Sequence, residues 1–105
     1  RNAQRKMKRK KYTTFEKKYP MELKVNFDAA VAESKALSAK PSNDTLLQLY
    51  SLYKQSTEGD AGDDAPANPF DFVAKAKYDA WSSLKGTGKE TAMAAYIDLV
   101  NKLKG

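Results

Sequence analysis

Two phenols and an ammonium, Tyr50, Tyr53 and Lys54, fall at helical spacing in the middle of this 105-residue chain. Residues three and four apart share a helix face. Such a face is flat, aromatic and cationic, suited to a ligand with a base to stack and phosphates to neutralise. The tyrosines could equally pack in a core, with Lys54 reaching water along its alkyl stem. Spacing leaves both roles open. Lys77, beside Tyr78 and near Trp81, and Lys35 carry the same choice between a ligand contact and a solvated helix face. Tyr96 lies on an apolar stripe, where core packing is the default.

Other constellations carry less. Asp60, Asp63 and Asp64 share a loop with Gly59 and Gly62, but the loop lacks the alternating oxygen ligands and closing Glu of an EF-hand. A solvated loop is expected, with no metal site. Gly86-Thr87-Gly88-Lys89 lacks the first glycine and the preceding strand of a phosphate loop, so it reads as a helix cap. The chain has no Cys and no His. The usual neutral-pH acid/base is missing, as are a thiolate nucleophile and the commonest metal ligand. No nucleophile–base pair supports a hydrolase, and a non-enzymatic role is expected.

The elements that must carry these side chains read as helices. Phe27, Ala30, Val31, Ser34 and Leu37 form a narrow stripe that Ser38 to Pro41 should end. Ser42 is a good N-cap, with Asp44 in the first turn. Leu46, Leu49, Tyr50, Tyr53 and Lys54 follow, and the helix fades by Thr57. Glu58 to Pro69 holds Gly59, Gly62, Pro66 and Pro69 among acids and reads as a long, functional loop. A third helix starts near Asp71 and runs through Trp81 to Leu84, with Gly86 as its stop. Thr87 to Glu90 reads as a capping box before a fourth helix carrying Met93, Tyr96, Ile97, Val100 and Leu103. No segment alternates like a strand. An all-α domain of four helices is expected.

Charge divides the chain. Residues 1–20 hold nine Lys or Arg against one Glu, a balance of +8, while residues 21–105 hold ten against twelve acids, a balance of −2. Residues 1–20 read as a basic leader, disordered or non-native, and residues 21–105 as the folded domain. The leader has no apolar core for a signal peptide, and no run spans a membrane. Arg5 to Lys11 could contact nucleic acid or an anionic membrane surface, a reading separate from the body's.

The body resembles the acyl-CoA-binding protein family. The resemblance rests on Phe27-Asp28-Ala29-Ala30, Lys40-Pro41, Tyr50-Ser51-Leu52-Tyr53-Lys54-Gln55, Gly59-Asp60, Lys75-Ala76-Lys77-Tyr78-Asp79-Ala80-Trp81, Leu84-Lys85-Gly86-Thr87 and Ala95-Tyr96-Ile97-Asp98, in order. It implies an up-down-down-up four-helix bundle that binds medium- to long-chain fatty acyl-CoA and serves as an intracellular carrier and pool former. The implied ligand contacts are Lys35, Tyr50, Tyr53, Lys54, Lys77 and Tyr96. Tyr50 and Tyr53 would hold the nucleotide, and Lys54 the 3′-phosphate. Lys35 and Lys77 would face phosphates and pantetheine, and Tyr96 would flank the adenine. Phe27, Ala30 and Leu47 would line or close the acyl end. The ligand is acyl-CoA, with no cofactor. Partners would be acyl-CoA-using enzymes met transiently by a cytoplasmic monomer, with no specific nucleic acid and at most transient membrane-surface contact. Two departures stand out: Val73 where many members carry lysine, and Tyr78 where the motif has tryptophan.

Overall fold

The computed structural model describes residues 21–105; the basic leader and the readings placed on it lie outside the described residues. Among the described residues, four helices, α1 Met21–Ser34, α2 Asn43–Glu58, α3 Phe72–Ser82 and α4 Lys89–Lys104, account for the regular structure. No strand occurs among the described residues.

Local chemistry sets most helix ends. Ser42 sits extended at ψ 162° and its hydroxyl accepts from the Thr45 N–H at 3.2 Å, satisfying one orphan donor of α2. Asp71 does the same for α3, accepting from the Ala74 N–H at 3.0 Å. Gly59, at φ +83°, closes α2 by donating to the Gln55 carbonyl at 3.2 Å.

Three ends differ from expectation. The first helix stops at Ser34 rather than continuing to Leu37, because the next N–H groups bond three residues back, Lys35 to Ala32 and Ala36 to Glu33. The third stops at Ser82, and Leu84 and Lys85 likewise bond three residues back to Trp81 and Ser82. Gly86 then turns the chain at φ +94°. The capping box at Thr87 does not form. Gly88 is the N-cap of α4 and makes no side-chain cap bond. The Thr87 carbonyl instead accepts from the buried Gln55 amide at 2.8 Å, so a long-range bond fixes this turn.

The core gathers Phe27 and Ala30 of α1, Leu49 of α2, and Met93, Tyr96 and Val100 of α4. Thus α4 packs on both α1 and α2, and α3 packs on α2. No residue of α3 is fully buried. Its place is secured partly by polar bonds to the preceding loop: Trp81 Nε1 donates to the Gly59 carbonyl and Tyr78 Oη to the Gly62 carbonyl, each at 2.8 Å.

Contacts give the directions. Tyr50 meets Lys77 and, four residues on in both helices, Lys54 meets Trp81, so α2 and α3 run parallel. Met21 and Lys24 lie near Lys89 and Met93, while Glu33 pairs with Lys104, so α1 and α4 also run parallel. Ser56 lies near Met93 and Leu47 near Leu99, which sets α2 against α4. This is the up-down-down-up order.

Candidate ligand groove between α2 and α3

α3 packs mainly on α2, and a groove opens along their seam. It has a volume of about 400 Å³ and is lined by Asn43, Leu46, Leu47 and Tyr50 of α2 and by Phe72, Val73, Ala76 and Lys77 of α3. Its walls are mostly apolar. Phe72 and Val73 are largely exposed at its edge. Val73, at the position where lysine is frequent in the resembling family, makes this wall apolar rather than cationic.

Two cation–aromatic contacts cross the seam. Lys77 Nζ lies 5.3 Å from the centre of the Tyr50 ring, and Lys54 Nζ lies 4.9 Å from that of Trp81. Each is within reach of the ring quadrupole. Lys54 also pairs with Glu58 one turn on. The carboxylate hydrogen bond raises the Lys54 pKa; partial burial opposes it, and the charge of Glu58 adds to it. Lys54 therefore stays an ammonium at neutral pH, with its side chain 23% exposed.

Beside this seam, toward α1, Tyr53 stacks on Phe27 with ring centres 6.1 Å apart and planes 19° apart. Phe27 meets Tyr96 edge-on at 5.2 Å. The Tyr96 hydroxyl donates to Ser34 Oγ at 3.0 Å, and Ser34 Oγ donates to the Val31 carbonyl at 2.7 Å. Tyr53 is the exposed member of this stack at 40%, whereas Tyr96 and Phe27 are buried.

The sequence-derived candidates therefore separate into places. Tyr50, Lys77 and Leu47 line the groove. Lys54 stands one turn beyond Tyr50, over Trp81. Tyr53 offers an exposed ring face above Phe27. Tyr96, Phe27 and Ala30 lie in the core, where they support the α1–α2–α4 junction rather than line the groove. Lys35 lies exposed in the turn after α1, its N–H bonded to the Ala32 carbonyl at 3.2 Å. Tyr50, Tyr53 and Lys54 share a helix, but their neighbours are Lys77, Phe27 and Trp81 respectively.

Gln55, Glu58, Trp81 and Phe72 were not among the candidate ligand residues, and Asp60 was read only as part of a solvated acidic loop. Gln55 is wholly buried, and its amide NH2 donates to Asp60 Oδ1 and to the Thr87 carbonyl, both at 2.8 Å. Asp60 Oδ1 also accepts from the Gly86 N–H at 2.9 Å. These bonds tie the end of α2, the following loop and the α3–α4 turn into one frame beside Lys54. The Gly86 N–H, the Gln55 amide and then the Lys85 charge hold the Asp60 carboxyl below the usual carboxylate range. Asp60 is thus committed to structure, and among the described residues no group of three or more acids or other ligating side chains is placed to hold a metal. The i, i+4 spacing of Lys54 and Glu58 was a legible signal. Gln55 to Thr87 was not, since it joins residues far apart in sequence.

An all-helical binding module with an apolar groove, crossed by lysines resting on aromatic rings, is the class this geometry defines. The sequence pattern of the family described as Acyl CoA binding protein matches residues 24–100. The chain is similar to "Acyl-CoA-binding protein homolog 1" of Caenorhabditis elegans, 48% identical over 79 residues, which is 75% of this chain and 91% of that protein. It is 47% identical over 78 residues to "Enoyl-CoA delta isomerase 2" of Rattus norvegicus, covering 74% of this chain but only 20% of that protein. The fold matches the crystal structure of Oryza sativa Acyl-CoA-Binding Protein 2 with a TM-score of 0.72 and 38% identity, over 77% of this chain and 89% of that one. The chain belongs to the acyl-CoA-binding protein family and has its all-α fold.

Proposed function

We propose that this chain binds medium- to long-chain fatty acyl-CoA and acts as an acyl-CoA carrier and pool former. The observation that carries the reading is the α2–α3 groove: apolar along Leu46, Leu47 and Phe72, and bounded by the ammonium groups of Lys77 and Lys54, each resting on a ring. Family membership supplies the ligand class. The acyl chain would lie along the apolar seam, and the lysines would meet phosphate.

In this reading Lys54 takes the 3′-phosphate, Tyr50 and the exposed Tyr53 ring hold the nucleotide, and Lys77 and Lys35 face the remaining phosphates and pantetheine. Tyr96 supports the adenine side from within the core. Phe27, Ala30 and Leu47 line or close the acyl end, Leu47 from the groove itself and Phe27 and Ala30 from the adjoining core. Each buried methylene contributes about 0.8 kcal/mol before ordering costs. Charge-assisted bonds to phosphate add affinity that a free fatty acid cannot obtain.

The family is one of binding proteins, and binding without chemistry is the activity proposed for this chain. Delivery would be to acyl-CoA-using enzymes met transiently by a monomer in the cytoplasm. Among the described residues no helix is long and apolar enough to cross a membrane.

Titration calorimetry tests the reading. Palmitoyl-CoA should bind tightly, CoA more weakly, and palmitate more weakly still. Affinity should rise with acyl length until the groove is filled. Equal affinity for palmitate and palmitoyl-CoA would remove the nucleotide half of the site.

A further inference from the structure

Glu58 occupies an unfavourable place. It is the last residue of α2, whose final turn contains no basic residue. The C-terminal end of a helix carries partial negative charge, so an acid there is opposed by the helix itself. What holds it is Lys54, one turn back, through a direct ion pair. The two partners differ in freedom. The Lys54 side chain is 23% exposed and rests on Trp81, whereas the Glu58 side chain is 53% exposed. A competing anion would therefore move Glu58 and leave Lys54 in place.

We propose that Glu58 is an affinity-setting counter-ion for the phosphate position at Lys54, weakening the hold on the ligand and speeding its release. The inference rests on the acyl-CoA reading above. A phosphate approaching Lys54 either displaces the Glu58 carboxylate or binds beside it against like-charge repulsion. Both routes subtract from binding. Because the displaced contact is a partly exposed ion pair, the subtraction is small and reversible. A carrier that must surrender its ligand gains from such a partner, since affinity differences between related complexes appear mainly in the dissociation rate.

The test compares the full chain with Glu58→Gln and Glu58→Ala, using palmitoyl-CoA and its 3′-dephospho analogue in calorimetry and stopped-flow displacement. Both variants should bind palmitoyl-CoA roughly two- to tenfold more tightly, as expected for removal of a partly exposed competing charge. The gain should appear as slower dissociation. Binding of the 3′-dephospho analogue should not change, and the gain should vanish when Lys54→Ala is combined with either variant. Thermal melting should show both variants folded, since the lost acid opposed the helix dipole. Unchanged palmitoyl-CoA affinity in both variants would overturn the proposal, as would an equal gain with the 3′-dephospho analogue. A wild-type chain that binds neither ligand would instead overturn the acyl-CoA reading beneath it.

Discussion

Lys54 and Tyr96 illustrate how side chains at the same helical spacing acquire opposite duties. Lys54 keeps its charge near the groove because a ring and a carboxylate share the task of replacing water around it. Replacing it with Ala should weaken palmitoyl-CoA binding about tenfold or more, the scale of one charge-assisted bond. The measurement is calorimetry, and Tyr50→Ala should fall in the same direction because its ring also supports Lys77. Tyr96 is 3% exposed and its hydroxyl serves Ser34. Tyr96→Phe removes that donor while keeping the ring. It should cost about 1 kcal/mol of stability in urea denaturation and leave ligand affinity nearly unchanged. A large affinity loss in Tyr96→Phe would mean that the hydroxyl itself meets ligand.

Between the helices, the frame made by Gln55, Asp60, Gly86 and Thr87 joins segments that have little apolar contact to hold them. Gln55→Ala would leave the half-buried Thr87 carbonyl without its donor and release the Asp60 link. The expected loss is about 2 kcal/mol, moderated because Gln55 Oε1 finds no partner among the described residues even in the intact frame. Hydrogen exchange should show protection falling together at Gly86 and in the loop after Gly59, two regions that would otherwise open independently. Asp60 adds a pH dependence of known sign. Its folded-state pKa is lowered, so its contribution is complete above the ordinary carboxylate value and declines as pH falls below about 4. Acid unfolding of Asp60→Asn should lack that part of the transition. Gly86→Ala meets no neighbouring atom but would force φ +94° on an L-residue, costing about 1–2 kcal/mol by melting. These elements also mark where reading from sequence succeeds. The starts of α2 and α3 were legible because Ser42 and Asp71 act on donors three residues away. The start of α4 was not, because the Thr87 carbonyl answers to Gln55 rather than to its own helix. Tyr50 and Lys54 were visible as candidates. Their pairing with Lys77 and Trp81 depends on the register of two separate helices, which only packing decides.

Across the whole molecule, charge and apolar surface are distributed for different tasks. The chain carries +6 overall, yet residues 1–20 account for +8 and the described body for −2. If the body carries the acyl-CoA site, its ligand contacts are the local lysines Lys54, Lys77 and Lys35 and owe little to net charge. Long-range attraction from the leader would be screened beyond about 8–10 Å at physiological salt. A chain beginning at Met21 should therefore bind palmitoyl-CoA within about twofold of the full chain at physiological salt. At low salt the full chain should associate faster with the anionic ligand, and this advantage should disappear as salt is raised. The same pair of chains separates the leader's reading from the body's. Salt-sensitive retention on DNA or on anionic vesicles should belong to the full chain and be lost on removing residues 1–20, because the acidic body would be repelled. Retention that survived the truncation would place the interacting surface in the body, where the exposed Phe70, Phe72 and Val73 beside the groove form the strongest apolar candidate. Loss of palmitoyl-CoA binding on truncation would show instead that the two charge blocks act as one site.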